Sequence, residues 1–139
     1  MTLFASMEIS AAGLSAQRQR LNVIAENLAN VDTTRTPEGG PYLKKQVVLE
    51  TRPPEDFASL LSGAESVGVA GVTRTTEGLR PEYDPTHPDA DEQGMVLYPN
   101  VNPITEMVSL ALASRTFEAN VAVLKAARAM LQKSLEIGR

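Results

Sequence analysis

Both ends of this chain carry apolar residues at the spacing of an amphipathic helix, and this pattern constrains the fold more than any other feature. From residue 3 to residue 31, steps of three and four residues select mostly apolar side chains. The column with a seven-residue spacing is apolar throughout, and the predicted seam consists of Met7, Leu14, Leu21, Ile24 and Leu28. A seven-residue repeat is typical of helices that pair along a seam. We therefore predict a long N-terminal helix.

The last third of the chain repeats the pattern. Pro103 and Thr105 suit the start of a helix, and Gly138 suits its end. Such a helix would be about 50 Å long. Alanines on several of its faces allow another backbone to approach closely. The predicted seam on this helix consists of Leu110, Phe117, Val121, Leu124 and Leu131.

The middle of the chain, residues 32–102, has a different character. It holds eight of the nine prolines, and short β-prone runs occur at 42–50, 67–75 and 94–99. Turn-forming stretches such as "TPEGGP" and "DPTHPDADEQG" separate the runs. We predict an α+β fold with three segments: an N-terminal helix in 1–33, a β-rich insert with long loops in 34–102 and a C-terminal helix in 103–139. The two helices would pair as one coiled-coil domain.

The predicted helix pair has too thin a seam to be stable alone. The chain has three Phe, three Tyr and no Trp, so it lacks the large side chains that dominate most cores. Ordering two long helices costs conformational entropy that a single row of aliphatic contacts does not offset. We therefore expect other chains to cover the helices.

Composition excludes several classes of partner. The net charge is −4, with 13 basic and 17 acidic residues intermixed, so we expect no nucleic-acid partner. There is no cysteine for a disulfide or a thiolate site. No uninterrupted run of about 18 apolar residues occurs, which predicts no direct membrane insertion. The segment "MTLFASMEIS" has no basic region followed by an apolar one, so we expect no cleaved secretory signal.

The single histidine, His87, is the main candidate for chemistry. It lies between Pro85 and Pro88 in an acidic loop, and a metal or catalytic site would need several converging groups. Counting a calcium loop from Asp89 puts Asn100 where a bidentate glutamate belongs. We therefore predict no enzyme activity, metal or cofactor, with a small-ligand or metal-binding protein that uses the His87 loop as a rival interpretation.

Two amides interrupt the end of the N-terminal helix. Asn27 and Asn30 lie three residues apart, on either side of Leu28. Asn30 could simply end the helix in the left-handed conformation. Alternatively, the amides could bond to neighbouring helices or to the following loop, and polar groups in a seam fix its register. Asn120, next to Val121, is placed similarly, so we predict that Asn27, Asn30 and Asn120 set register.

The stretch "ISAAGLSAQRQRLNVIAENLANVDTTRTPEGGPYLKKQVVLE" resembles the N-terminal signature of the bacterial flagellar rod and hook proteins. In that family a helix ends in N-L-A-N before a turn. The stretch from residue 83 to residue 131 resembles the short proximal-rod members, in which D-P-x-H-P-x-A-D leads into P-N-V-N, E-M-V and a Y/F-x-A-N-V run. Here these motifs contain Asp84, Pro85, His87, Pro88, Ala90, Asp91, Pro99, Asn100, Val101, Asn102, Glu106, Met107, Val108, Phe117, Ala119, Asn120 and Val121.

The resemblance implies a structural subunit of the flagellar basal-body proximal rod. Such subunits are exported by the flagellar type III apparatus without cleavage and assemble helically in the periplasm, where they transmit torque. The partners implied are copies of the chain, other proximal and distal rod proteins, the membrane-anchored base and the export apparatus. We further predict that one element locks the insert onto the helices or a neighbour, through Asp84, Pro85, His87, Pro88, Asp91, Pro99, Asn100 and Asn102. A coiled-coil adaptor or export chaperone is the remaining rival.

Overall fold

The computed structural model describes residues 3–53 and 65–137, with side chains from residue 5 onward. Two long helices enclose an insert of two small antiparallel sheets, which confirms the predicted α+β class. In chain order the elements are α1 (Leu3–Ala29), β1 (Lys45–Arg52), β2 (Ser66–Arg74), β3 (Arg80–Tyr83), β4 (Met95–Tyr98) and α2 (Pro103–Ile137). Gly138, the predicted helix end, lies outside the described residues.

The two helices pack against each other and run in opposite directions. The Asn27 amide of α1 donates to the Glu106 carboxylate of α2. A Cβ built on Gly13 would lie 3.1 Å from Asn120 Nδ2. Because these two contacts are fourteen residues apart on both helices, they fix one antiparallel register.

The face of α2 that packs on α1 follows steps of four and three residues. Its members are all buried or half-buried: Glu106, Leu110, Ala113, Phe117, Asn120, Leu124, Ala127 and Leu131. The sequence pattern identified one column of this face, which contains Leu110, Phe117, Leu124 and Leu131 at a spacing of seven residues. It placed Val121 in a second column. Val121 is itself half-buried, and a further column one residue earlier is buried or half-buried as well, although a search for apolar residues does not select its small and polar side chains.

On α1, burial extends over more of the circumference than the predicted seam. The seam residues Met7, Leu14, Leu21, Ile24 and Leu28 are half-buried or buried. A second row is buried as well: Ala5, Ala16, Val23 and Asn27. Both rows are needed because α1 contacts the β1–β2 sheet as well as α2.

Local hydrogen bonds end α1 and begin α2. The Asn30 side chain donates from Nδ2 to the Glu26 carbonyl, 2.8 Å away, and no non-glycine residue among those described has a positive φ. The left-handed interpretation of Asn30 is therefore wrong. Asn102 caps α2, because its Oδ1 accepts from the backbone N–H groups of Ile104 and Thr105.

The insert contains two hairpin-like pairs. β1 pairs antiparallel with β2, with an irregularity between Val48 and Leu49, and β3 pairs with β4. The three predicted β-prone runs coincide with β1, β2 and β4. β3 was not predicted, since it contains Pro81 and charged residues, which fit only an edge strand. Val96 and Val101, each 1% exposed, and Pro99 are among the most fully buried side chains of the described residues.

Among the described residues, α2 is long and apolar enough to span a membrane by length and composition. The expectation of no direct membrane insertion stays a prediction, because length and composition alone do not test it. Almost none of the relevant window is buried within the chain. Length and composition alone are weak evidence for a span, but α2 has a large apolar surface that the described part of the chain leaves uncovered.

Candidate assembly site at the helix–insert junction

A buried amide joins the end of α1 to the insert and to α2. Asn27 is 1% exposed. Its Nδ2 donates to the Lys45 carbonyl (2.9 Å) and to Glu106 Oε2 (3.2 Å). Its Oδ1 accepts from the Tyr42 hydroxyl (2.9 Å) and from the Lys45 N–H (3.0 Å). All four hydrogen-bonding positions of the amide are therefore filled.

Glu106 contributes a buried charge to the same cluster. It is 3% exposed, and its Oε1 lies 2.8 Å from Lys44 Nζ. A buried carboxylate is tolerated only when it is paired and hydrogen-bonded. Glu106 meets both conditions, through Lys44 and through Asn27. The pair links the first turn of α2 to the segment that enters β1.

Asn100 extends the cluster to the end of β2. Its Oδ1 accepts from the Lys44 N–H at 2.8 Å, and its Nδ2 donates to the carbonyls of Thr75 and Glu77. We refer to these connected residues as the junction: Asn27, Tyr42, Lys44, Lys45, Asn100 and Glu106. The junction ties both helices and both flanks of the β1–β2 pair together.

The phenol of Tyr42 is buried beside acidic groups. Burial, with the negative charge of Glu26 as the next cause, raises the pKa of Tyr42 to about 12. Glu26 itself forms a salt bridge with Lys45. The neutral phenol is the form that donates to Asn27, so the surroundings favour the protonation state that the junction uses.

A second link connects the loop after α1 to the loop before β4. The Thr34 hydroxyl donates to Asp89 Oδ2 at 2.7 Å, and Arg35 forms a salt bridge with the same carboxylate. These two partners, the hydroxyl first, hold the pKa of Asp89 below its usual value. The backbone N–H of Asp89 donates to His87 Nδ1 at 3.1 Å, and the His87 ring lies edge-on to Tyr98.

The remaining residues of the predicted locking element act locally. Asp84 accepts from the Thr86 hydroxyl and N–H, bonds that lower the pKa of Asp84. Asp91 accepts from the N–H groups of Gln93 and Met95, which closes the turn before β4. Pro85 and Pro88 are exposed, whereas Pro99 is buried. Within residues 3–53 and 65–137, no group of three or more His, Asp or Glu residues could hold a metal ion.

Sequence reasoning singled out Asn27 as a register residue and Asn100 as part of the locking element, but it did not connect the two and missed their charged neighbours. Glu106 and Lys44 look like ordinary surface residues in the sequence, and Asp89 was considered only as a calcium ligand. One signal was available: Glu106 occupies the heptad column that precedes Ala113 and Asn120. Asn27 and Glu106 are 79 positions apart in the sequence, so no local pattern reveals their contact.

A second apolar face of α2 points away from α1. Its large side chains lie within a sector of about 100° around the helix and recur along its whole length. Each is at least half exposed: Ile104, Val108, Leu112, Val123, Met130 and Ile137. We call this set the outer stripe.

Comparisons with known proteins agree with this architecture. Residues 7–35 match the family described as flagella basal body rod protein, and residues 92–137 match the family described as flagellar basal body rod FlgEFG protein C-terminal. The two matches cover α1 and its turn and then α2 with the strand before it. They define the class as flagellar basal-body rod proteins.

Individual relatives narrow the class. The chain is 43% identical to flagellar basal-body rod protein FlgC of Bacillus subtilis, over 100% of both chains. It is 39% identical to that of Salmonella typhimurium, also over 100% of both. It is 38% identical to that of Borreliella burgdorferi, over 99% of this chain and 98% of the relative. The chain therefore belongs to the FlgC family, and it is a structural subunit of the flagellar basal-body rod.

Proposed function

We propose that the chain enters the proximal rod by burying the outer stripe of α2, together with the half-buried seam, against helices of neighbouring subunits. The outer stripe carries this proposal, because its apolar side chains are at least half exposed over the full length of a 35-residue helix. Exposed apolar surface of this extent marks an interaction site. The neighbours proposed are further copies, other proximal and distal rod proteins, and the membrane-anchored base.

The junction would make the insert and the helices move as one body. Its bonds join α1, β1, the end of β2 and the first turn of α2, so a torque applied to the helices reaches the insert through buried polar contacts. A buried pair such as Lys44 and Glu106 supports specificity of arrangement more than net stability. Asn27, Asn30 and Asn120 would set register, and export would proceed through the flagellar type III apparatus without cleavage.

Substitutions on α2 test the assembly role. Leu112→Asp on the outer stripe and Leu124→Asp on the seam place a charge in surface that assembly would bury, so each should abolish incorporation. Lys125→Asp, at an exposed position outside both faces, is the matched control and should incorporate normally. The measurements are swimming in soft agar and the amount of the chain in purified basal bodies.

Secretion of each variant into the medium separates assembly from export. Both leucine variants should be exported as well as the control, since the proposal assigns these residues to packing. Normal quantities of Leu112→Asp in basal bodies would show that the outer stripe faces solvent in the rod and would refute the proposal.

A further inference from the structure

One buried oxygen on α1 has no hydrogen bond. Among the described residues, Oε1 of Gln17 is the only buried side-chain nitrogen or oxygen without a partner. Gln17 lies three residues after Leu14 and four before Leu21, so it occupies a position of the apolar seam. Native proteins satisfy nearly all buried polar atoms, because an unpaired one costs free energy. The Gln17 amide therefore calls for a donor.

A donor reaches the same part of α1 from the other helix. Nδ2 of Asn120, on α2, lies 3.1 Å from the position of a Cβ built on Gly13. The Asn120 side chain forms no hydrogen bond within residues 3–53 and 65–137. Gly13 precedes Gln17 by four residues, so the two share one face of α1 and their Cβ positions are about 6 Å apart. The two unpaired amides are thus one helical turn from each other.

Gly13 leaves room between the two amides. Apart from the neighbours of Gly13 along α1, only Asn120 places side-chain atoms of the described chain within 4 Å of that Cβ position. Side chains of a helix lean towards its N-terminal end, and Gln17 therefore leans towards Gly13. Its amide is carried on two methylene groups, which span most of one turn. A rotation about these bonds brings Oε1 to Asn120 without moving either helix.

We propose that the amides of Gln17 and Asn120 pair over Gly13, and that this pair selects the register in which α2 packs on α1. The apolar columns of both helices repeat every seven residues, so an apolar seam alone would accept other registers and other helices of the rod. A helix with an apolar side chain opposite Gln17 would leave the amide buried and unpaired. The proposal rests on the assembly role proposed above, and it gives Asn120 a specific partner.

Apolar replacements of matched shape test the pairing in the isolated chain. Gln17→Met and Asn120→Leu each remove one amide and leave the other buried without a partner, so each should lower the urea midpoint. The double variant should recover at least the native midpoint. Gln19→Met, at an exposed glutamine on the same helix, is the matched control, and its effect should not depend on residue 120. Midpoint shifts of Gln17→Met and Asn120→Leu that simply add would overturn the pairing and would fit a trapped water beside Gln17.

Incorporation into basal bodies tests the selection of register. The double apolar variant should be incorporated roughly fivefold less than the native chain despite its stability, since an apolar seam admits other pairings. Gln17→Asn combined with Asn120→Gln exchanges the two amides and keeps their combined length, so incorporation should stay within about twofold of native. Normal incorporation of the double apolar variant, or an equal loss in the exchanged variant, would refute the selection. Leu112→Asp would still be excluded from the rod in that case, so the assembly role would stand.

Discussion

At the scale of single residues, Asn27 combines 1% exposure with four side-chain hydrogen bonds. It bonds to the backbone at Lys45 and to the side chains of Tyr42 and Glu106. No other residue type supplies two donors and two acceptors at this length. Aspartate would bring a second carboxylate beside Glu106, and leucine would leave four polar partners unsatisfied.

Replacing this amide should therefore destabilise the chain strongly. We expect Asn27→Leu to lower the free energy of unfolding by about 3 kcal/mol, because buried partners lose their hydrogen bonds. Asn22→Ala, an exposed amide on the same helix, should change it by less than about 0.5 kcal/mol. Urea titration followed by circular dichroism measures both. Equal midpoints for the two variants would show that the amide is not a structural requirement.

The raised pKa of Tyr42 predicts that the folded chain loses stability at alkaline pH. The pKa of Tyr42 is about 12 in the folded chain, against 10.0 for an ordinary tyrosine. The folded-state pKa is the higher one, so the contribution of the neutral phenol is fully present below pH 10 and is lost as the pH rises towards 12. Absorbance near 295 nm should show a late phenol ionisation that disappears in Tyr42→Phe. Identical titrations of the two proteins would contradict this prediction.

At the scale of elements, periodicity was enough to predict both helices, because their apolar spacing and the caps near Pro103 are local features. The strands β1, β2 and β4 were also visible as β-branched runs. The face that α2 presents to α1 was predicted only in part. Its second column contains Glu106, Ala113, Asn120 and Ala127, whose burial depends on what lies opposite and not on their own hydrophobicity. Of the junction, the sequence singled out Asn27 and Asn100, whereas the roles of Glu106 and Lys44 escaped prediction for the same reason.

Gly13 permits the close approach of α1 and α2 at Asn120. A methyl group at Gly13 would lie 3.1 Å from Asn120 Nδ2, the end of a flexible side chain that can move by a few tenths of an ångström. Alanine also favours a helix over glycine by about 1 kcal/mol. We therefore expect Gly13→Ala to be incorporated into basal bodies and Gly13→Leu to be excluded, because leucine would force the helices apart. Incorporation of both would show that the helices do not approach closely here.

At the scale of the whole molecule, the buried polar contacts cluster at one end of the helix pair. Along the rest of α1 and α2, the buried side chains include small ones such as Ala5, Ala16 and Ala127. The outer stripe of α2 is exposed in the described part of the chain. The chain is therefore unevenly stabilised. The junction is well bonded, and we propose that neighbouring subunits cover the parts of the helices distant from it.

Hydrogen exchange of the isolated full chain should reveal this difference. Backbone amides of α1 near residue 5 and of α2 beyond residue 120 should exchange fast, because few apolar contacts protect them. Amides near Asn27, Lys45 and Glu106 should exchange slowly. In the assembled rod both groups should be slow. Uniformly slow exchange in the isolated chain would mean that the helices are covered without partners.

The small side chains between the helices have a mechanical consequence. Ala16, Ala113 and Ala127 form shallow ridges between the larger seam side chains, and packed helices can shift past each other by small distances. The junction prevents that sliding at one end only. In the proposed assembly, the far ends of the helices would take up small differences in tilt between adjacent molecules, while the junction would keep the insert aligned with the helix ends that it joins.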